Sequence, residues 1–407
     1  MLSIDIVGLT GACSYALDCI EAELVNITNK HGKRVAYISV CMAEYWAIQG
    51  EALQDLAMCA LLHDNALTQY ISEELKKDSV IDLKKDLSEE KTNLHCIYGE
   101  KNITKLPFKT DVSNVILYHH EHADGTGPFQ KKWNEIPLFA RIIHLADIID
   151  IIRNSIDSDD NSWDFMCQYL SKNKDSLFDS ECVNAFLHVF TQESFMCLSD
   201  DSFETKLWEA IPREKMVFDW KMCKDVADFF AKIVDYKSSF TSRHSIGVAE
   251  KASMLAQYMG YDSIAVQKMY LAGALHDIGK MAVGNEILEK PDKLTDDEFS
   301  KMKNHAGYTY LILSEVNDFE EIRDWAAFHH EKLNGKGYPF GKTAAELNES
   351  ERMMACVDIY QALTEDRPYK KGLSHEKTCD ILDDMAQKDF IDSDISKIIR
   401  ECFGRNR

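Results

Sequence analysis

The chain has 407 residues, which is more than one hydrophobic core usually serves, so we expect two domains. Hydrophobic residues make up 45% of the sequence and charged residues 28%, a balance typical of folded globular proteins and not of disordered chains. The formal net charge of −22 argues against a partner such as DNA, RNA or an anionic membrane surface. An anionic substrate would therefore need a local positive charge, which a metal cluster could supply.

The cysteines and the first residues indicate a cellular compartment. Twelve cysteines are scattered without a CxxC pair, which favours free thiols in a reducing cytoplasm over disulfides or a zinc knuckle. The opening stretch "MLSIDIVGLTGACSYALDCIEAE" has no basic segment and carries Asp5 early, so no signal peptide is expected. No apolar run approaches the length of a membrane span. We expect a soluble cytoplasmic protein.

Along the chain, helix is predicted nearly throughout. An acidic stretch at 153–163 and a second at 198–215 bracket the middle and suggest a boundary there. Further on, apolar residues in 243–260 recur with a helical period, and glycine and proline gather in the loops "GNEILEKPDKLT" and "NGKGYPFG". We predict an all-α protein with a first domain at 1–200, a linker helix at 201–234 and a second domain at 235–407.

The two halves contain the same pattern of histidines and aspartates. His31 and His63 are 32 residues apart, as are His244 and His276, and each second histidine is followed by aspartate. A 24-residue interval then separates His95 from His119 and His305 from His329. The repeat ends with Asp147 in the first half and Asp358 in the second. A lone helical histidine is usually a packing residue, but a set repeated at these spacings favours two metal sites.

Imidazoles and carboxylates together suit iron, manganese or zinc. A His-Asp pair on one helix lets the histidine bind one ion while the aspartate bridges to a second. Two ions roughly 3.5–4 Å apart can activate a shared water and clamp both oxygens of a phosphoryl displacement. The pattern therefore favours hydrolysis of a phosphodiester.

The C-terminal half resembles a known family. "HDIGK" (276–280), "HHEKLNGKGYP" (329–339) and "VDIYQALTEDRPYK" (357–370) are similar to the HD-GYP cyclic-dinucleotide phosphodiesterases of bacteria, over about 235–395. The resemblance implies tandem helical bundles of the HD superfamily, the second of HD-GYP type and the first degenerate. It also implies hydrolysis of cyclic di-GMP to pGpG and GMP by a metal-bridged hydroxide.

The resemblance also implies roles for individual residues, at the positions of this chain that match the family's motifs. The implied metal ligands are His244, His276, Asp277, His305, His329, His330 and Asp358. Asp277 would bridge two ions and Lys280 would hold a phosphate oxygen or assist the departing 3′-oxygen. The implied substrate contacts are Arg367, Lys370, Gly337, Tyr338 and Pro339. Phe240 stands where some members carry a glutamate for a third metal, so we expect two divalent ions: iron or manganese first, with zinc, nickel or magnesium left open.

The N-terminal half keeps the ligands and loses the residues that handle phosphate. Its candidate second metal site is His31, His63, Asp64, His95, His119, His120 and Asp147. Leu67 stands in the place of Lys280, and Ile156 and Asp159 stand in the places of Arg367 and Lys370. Tyr338 has no counterpart. We predict that residues 1–200 regulate or dimerise the C-terminal domain, as a homodimer, without cleaving a cyclic dinucleotide themselves.

Three alternatives remain open at this level. An enzyme of the same chemistry could prefer 3′,3′-cyclic GMP-AMP, because nothing in the sequence distinguishes guanine from adenine. A sensor could bind a cyclic dinucleotide without cleaving it, although the full ligand set and Lys280 argue against this. A phosphomonoester hydrolase of the HD superfamily is disfavoured by the "GYP" loop.

Overall fold

A computed structural model of the chain describes residues 1–25, 30–73, 89–155, 162–237, 244–288, 290, 292–366 and 371–404. The chain divides into two compact units. The N-terminal unit comprises Asp5–Glu214, and the C-terminal unit comprises Met1–Ile4 together with Lys215–Arg407. The predictions at Ile156, Asp159, Phe240, Arg367 and Lys370 fall on residues outside the described ranges.

The N-terminal unit is built around one buried helix. Its helices are α1 Ile6–Val25, α2 His31–Ala43, α3 Gly50–Leu61, α4 Leu67–Glu73, α5 Glu89–Ile103, α6 Leu138–Ser155, α7 Ser162–Lys172, α8 Ser180–Val189, α9 Gln192–Met196 and α10 Ser202–Ala210. Helix α2 packs against α1, α3, α6, α8 and α10, and all but one of its residues are buried. A helix covered on all sides must be largely apolar, as the run Val35–Val40 is. Its first residue, His31, is therefore also buried.

The C-terminal unit contains nine helices and a small ribbon within the described residues. The helices are α11 Trp220–Lys237, α12 His244–Tyr258, α13 Ser263–Leu275, α14 Asn285–Leu288, α15 Asp296–Leu313, α16 Glu320–Ala327, α17 Glu349–Thr364, α18 His375–Gln387 and α19 Ser393–Gly404. Helix α13 packs against α11, α12 and α16, and α15 packs against the 3₁₀ turn Ile278–Ala282. Strands β1 Leu2–Ile4 and β2 Met216–Phe218 pair antiparallel, with Ser3 opposite Val217.

Side-chain caps start three of the helices that position the predicted ligands of the C-terminal unit. The Asp262 side chain accepts hydrogen bonds from the backbone N–H groups of Ile264 and Ala265 at the start of α13. Thr295 and Asn348 form capping boxes at the starts of α15 and α17. Each cap satisfies N–H groups that the first turn leaves unpaired and contributes about 1 kcal/mol. The capping residues therefore specify where these three helices begin.

The boundary between the units differs from the predicted one. We expected a linker helix at 201–234, but the division falls between Glu214 and Lys215, so this stretch belongs to both units. In α10, Phe203 and Leu207 are buried against the N-terminal unit. In α11, Val226 and Phe230 are buried within the C-terminal unit. Two amphipathic helices with separate apolar faces cannot act as one exposed linker, because each gains free energy by burying its own face.

The all-α prediction is confirmed. Within the described ranges the only strands are the three-residue β1 and β2, which the sequence analysis did not predict. None of the twelve cysteines forms a disulfide in the structure, as expected. No helix in the part of the chain that the structure describes combines the length and apolarity that a membrane span needs.

Candidate metal centres

The structure brings the seven predicted ligands of the C-terminal unit together. They come from the start of α12 (His244), the end of α13 (His276, Asp277), the middle of α15 (His305), the turn after α16 (His329, His330) and the middle of α17 (Asp358). All are buried except His330, which is partly exposed. Their ligand atoms form three overlapping groups, and within each group the atoms lie within 4.8 Å of one another.

Three of these histidines have the same hydrogen bond at one ring nitrogen. The Nδ1 atoms of His276, His305 and His329 lie 2.7, 2.6 and 2.6 Å from the carbonyl oxygen three residues earlier. A carbonyl oxygen can only accept, so each Nδ1 carries the proton and the lone pair lies on Nε2. Each Nε2 is buried without a hydrogen-bond partner among the described residues. Such a lone pair, oriented by a bond at the other nitrogen, is the arrangement that metal-binding histidines use.

Asp277 lies between two groups of imidazoles. One of its oxygens, Oδ2, is 3.2 Å from His276 Nε2, and the other, Oδ1, is 3.5 Å from His305 Nε2 and 3.9 Å from His329 Nε2. Lone-pair atoms that face each other at these distances repel one another unless a cation lies between them. The donors therefore fit metal ions, and each Asp277 oxygen faces a different group of histidines, as a bridging carboxylate requires.

The first histidine of the set is held by two carboxylates. His244 Nε2 lies 3.1 Å from Asp358 Oδ1, and His244 Nδ1 lies 3.1 Å from Glu365 Oε2. Burial opposes the charge, but the bonds to Asp358 and Glu365 raise the pKa of His244 to about 10. Glu365 thus orients this ring in the way that backbone carbonyls orient His276, His305 and His329.

Two of the other histidines, His305 and His329, are kept neutral. Burial lowers the pKa of His305 to about 4. Burial and the neighbouring His330 also lower the pKa of His329 well below its usual value. A neutral imidazole is the form that binds a metal ion, so these two residues are in the required state at neutral pH without further adjustment.

The "GYP" loop lies beside the cluster and is held by a carboxylate. The Tyr338 ring is centred 4.7 Å from that of His330 and 6.3 Å from that of His305. A Cβ at Gly337 would come within 2.4 Å of the Glu331 Cα, so only glycine fits there. The buried Glu331 carboxylate accepts the backbone N–H groups of residues 340, 341 and 342 at 2.7, 3.1 and 2.9 Å. This carboxylate fixes the loop, Pro339 included, against the histidines.

Lys280 lies in the 3₁₀ turn that follows the His-Asp pair. Its Nζ is 2.5 Å from Asp277 Oδ2, and its side chain is 21% exposed. The lysine charge is therefore at the edge of the ligand cluster, where it can reach an anion that enters the site. The other predicted cations, Arg367 and Lys370, lie outside the described residues.

The N-terminal unit repeats the arrangement. Its seven candidate ligands come from the start of α2 (His31), the turn after α3 (His63, Asp64), the middle of α5 (His95), the turn before α6 (His119, His120) and the middle of α6 (Asp147). His63 and His119 place Nδ1 at 2.9 and 2.6 Å from the carbonyl three residues earlier, as in the C-terminal unit. Asp64 Oδ1 lies 3.2 Å from His95 Nε2 and 3.5 Å from His119 Nε2. The expected ligands are thus assembled in both units.

The two clusters differ where Lys280 is replaced. Leu67, the first residue of α4, provides no cation for Asp64, and the Asp64 side chain is 18% exposed, against 4% for Asp277. The first histidine is also held differently: His31 Nδ1 lies 2.8 Å from Asp150, which in turn accepts a bond from Arg34. The N-terminal cluster therefore lacks the lysine that faces the site.

Five residues that contribute to the two clusters were not found from the sequence. Glu331 and its counterpart Glu121 hold the two loops, and the shared "HHE" in both halves could have indicated them. Asp150 and Glu365 orient the first histidines, but they lie at different distances from the matched aspartates and left no repeat to detect. Cys96, directly after His95, has its Sγ 3.4 Å from His95 Nε2. Its position in the cluster could only be seen in the folded chain.

Two bundles, each with a buried His/Asp cluster, define an all-α protein with two candidate metal-binding units. The sequence profile described as "HD domain" matches residues 18–182 and 228–395, which together cover most of the chain. The chain therefore belongs to the HD domain family, with one copy in each half, as the resemblance implied.

Named relatives match along much of the chain. The 3′3′-cGAMP-specific phosphodiesterase 1 of Vibrio cholerae is 27% identical over 403 residues, covering 94% of this chain and 88% of the relative. Phosphodiesterase 3 of the same specificity and organism is 30% identical over 74% of this chain and 65% of its own. A cyclic di-GMP phosphodiesterase of Pseudomonas aeruginosa is 41% identical, over 33% of this chain and 32% of its own.

A solved structure has the same fold. A cyclic GMP-AMP-specific phosphodiesterase from V. cholerae superposes with a TM-score of 0.67 and 24% identity, over 99% of this chain and 98% of that one. At this identity the likeness supports the fold alone. The tandem helical architecture predicted from the sequence is thereby confirmed.

Proposed function

We propose that this chain is a metal-dependent phosphodiesterase that hydrolyses a cyclic dinucleotide in its C-terminal unit, with 3′,3′-cyclic GMP-AMP as the preferred substrate. The relative matched over 94% of the chain carries that specificity in its name, whereas the cyclic di-GMP phosphodiesterase of P. aeruginosa matches only 33%. Cyclic di-GMP, the leading hypothesis from the sequence, is therefore less well supported than its alternative.

The observation that carries the proposal is the position of Asp277 between two groups of buried imidazoles whose Nε2 lone pairs have no hydrogen-bond partner among the described residues. The proposed ligands are those assembled in the C-terminal cluster, with Asp277 as the bridge. Two divalent ions bound there would activate water and neutralise charge on a phosphodiester. Nitrogen and oxygen donors suit iron or manganese, and we propose these metals first.

The chain's own residues position the substrate and receive its charge. Lys280, at the edge of the cluster, would hold a phosphate oxygen or give a proton to the departing 3′-oxygen. Tyr338 and Gly337 would form the wall beside His330, where glycine lets the loop backbone approach closely. We propose Arg367 and Lys370 as further contacts to phosphate and base.

In the proposed reaction, the oxygen of water adds to phosphorus and the bond from phosphorus to the 3′-oxygen breaks. The 3′-oxygen leaves with a proton, and the product is a linear dinucleotide with a 5′-phosphate. A second hydrolysis would give mononucleotides.

A substrate panel tests the proposal. Protein loaded with Mn²⁺ or Fe²⁺ is incubated with 3′,3′-cyclic GMP-AMP, cyclic di-GMP and cyclic di-AMP, and the products are separated by chromatography. We expect linear dinucleotide from 3′,3′-cyclic GMP-AMP at the highest kcat/KM. A higher kcat/KM for cyclic di-GMP would restore the first hypothesis, and binding of all three without any product would indicate a sensor.

The N-terminal unit has a different proposed role. Without a counterpart of Lys280, it would not turn over a cyclic dinucleotide, because an apolar Leu67 cannot neutralise a phosphate. We propose that it regulates the C-terminal unit or joins two chains into a homodimer. The oligomeric state, measured by light scattering on the full chain and on a His63→Ala/Asp64→Ala variant, addresses this role directly.

A further inference from the structure

We propose that Cys96 is a metal ligand in the N-terminal unit, and that this unit therefore holds a thiophilic cation of the zinc class, unlike the nitrogen and oxygen site of the C-terminal unit. The proposal does not depend on the phosphodiesterase function, because it concerns which ion the N-terminal cluster binds and through which atoms. It adds a thiolate to a site for which the sequence pattern indicated only histidines and aspartates.

The first argument is the position of the sulfur. Cys96 Sγ lies 3.4 Å from His95 Nε2, and that nitrogen lies 3.2 Å from Asp64 Oδ1. Zinc–sulfur and zinc–nitrogen bonds of about 2.3 and 2.0 Å, at a tetrahedral angle, place the two donor atoms roughly 3.5 Å apart. The separation of sulfur and nitrogen in the structure therefore fits two ligands of one ion. The ligand atoms of Cys96 and His95 also group with those of His119 and His120, all within 4.8 Å of one another.

The second argument is independent of the cysteine. His119 is fully buried, and its Nε2 has no hydrogen-bond partner among the described residues. Its Nδ1 lies 2.6 Å from the Ile116 carbonyl, which leaves the lone pair on Nε2, directed at Asp64 Oδ1 3.5 Å away. That oxygen likewise has no hydrogen-bond partner in the described chain. In the neutral imidazole these two buried acceptors face each other, an arrangement that a metal cation between them would stabilise.

The third argument is the contrast between the two units. Position 306, which follows His305 as Cys96 follows His95, is a buried alanine. His305 places its Nδ1 against the Met302 carbonyl, whereas His95 Nδ1 is buried with no partner in the described ranges. The surroundings of His95 have thus diverged from those of its counterpart at the residue that would add sulfur. Thiolate ligands favour zinc over manganese or magnesium, so the two units would select different metals.

Cobalt spectroscopy of the full chain tests the assignment. The protein is stripped of metal and saturated with Co²⁺, and its near-ultraviolet absorption is recorded for a thiolate-to-cobalt charge-transfer band. We expect the band in the wild-type protein and in Cys59→Ser, whose cysteine is equally buried in the same unit. Both Cys96→Ser and Cys96→Ala should lack it. Persistence of the band in the Cys96 variants, or its absence from the saturated wild-type protein, would overturn the proposal.

Two measurements on the wild-type protein make the test independent of how the variants fold. X-ray absorption at the zinc edge should show a sulfur neighbour at about 2.3 Å in zinc-loaded protein. An excess of Mn²⁺ added to the cobalt-loaded protein should leave the charge-transfer band in place. A zinc spectrum with nitrogen and oxygen neighbours alone would refute the ligand, and loss of the band to Mn²⁺ would refute the selectivity.

Discussion

In His276, His305 and His329, the hydrogen bond at Nδ1 decides what Nε2 can do. Each Nδ1 lies against a carbonyl on the preceding turn of its own chain segment, so the tautomer follows from local geometry. The free Nε2 atoms then meet Asp277, which belongs to a different segment from His305 and His329. The tautomer of each histidine is therefore set by its own chain segment, whereas the assembly of the site depends on packing between segments.

Replacing Asp277 by alanine should abolish activity. The substitution removes the carboxylate that faces both groups of histidines, so the C-terminal unit should lose metal and turnover should fall by several orders of magnitude. Metal analysis and product chromatography measure the two effects. His375→Ala, at a buried histidine that bonds Tyr360 and stands outside the ligand set, is the control and should keep its metal. Near wild-type turnover in Asp277→Ala would refute the assignment.

Lys280→Ala should separate metal binding from chemistry. Lysine cannot ligate while it is charged, and the loss of one electrostatic group of this kind often lowers the rate by about 10²–10³. We expect unchanged metal content, strongly reduced kcat and partial recovery in Lys280→Arg. Lys388→Ala, at an exposed lysine paired with Asp384, should have no effect. A parallel loss of metal and turnover would show instead that Lys280 maintains the structure.

At the level of secondary structure, each candidate ligand lies on a helix or in a turn, and the loop after the paired histidines is held by a single carboxylate. Glu331 accepts hydrogen bonds from the backbone N–H groups of residues 340–342, and Glu121 accepts them from residues 129 and 131. The same device therefore supports a loop with Tyr338 in one unit and a loop without it in the other.

Glu331→Gln should weaken both the fold and the activity. A charged acceptor of backbone N–H groups contributes about 1.5–3 kcal/mol per bond, so we expect the free energy of unfolding to fall by about 2 kcal/mol. KM should rise because Tyr338 is no longer held in place. Glu121→Gln is the matched control and should lower stability without changing KM. Equal kinetic effects in the two variants would contradict the division of roles between the units.

The fragment 5–214 should fold better than the fragment 1–200. Helix α10 buries Phe203 and Leu207, and the Phe203 ring contacts that of Tyr37 on α2 at 6.0 Å. Ending the chain at 200 exposes that face of α2, and each lost large side chain costs about 1.5–3 kcal/mol. Thermal unfolding followed by circular dichroism compares the two. Equal midpoints would place the boundary where the sequence suggested.

At the scale of the whole molecule, one ligand pattern occurs twice and the residues around it have diverged. We propose that the C-terminal unit, which has Lys280 and Tyr338, is catalytic, and that the N-terminal unit, which has Leu67 and Cys96, is not. Both lie in HD domains matched by the same family profile.

The double variant His63→Ala/Asp64→Ala, made in the full chain, should leave substrate cleavage detectable. We expect a changed rate or a changed oligomeric state, because the proposed role of this unit is regulatory or dimerising. Turnover, light scattering and metal content are measured together. A variant that is inactive while its C-terminal unit keeps metal would place the N-terminal unit in the chemistry and contradict the proposal.

Some features of this protein depend only on the order of residues along the chain and could be predicted from it. The helical class follows from periodicity, and the candidate ligand sets follow from spacings repeated in both halves. Other features depend on contacts between segments that are distant in the sequence. The boundary after Glu214 reflects which unit buries α10 and which buries α11. Packing likewise sets three contacts: the hydrogen bonds of Glu331 to its loop, the orientation of His244 by Glu365, and the position of Cys96 in the N-terminal cluster. Contacts between side chains that are far apart in the sequence leave no periodic pattern from which they could be predicted.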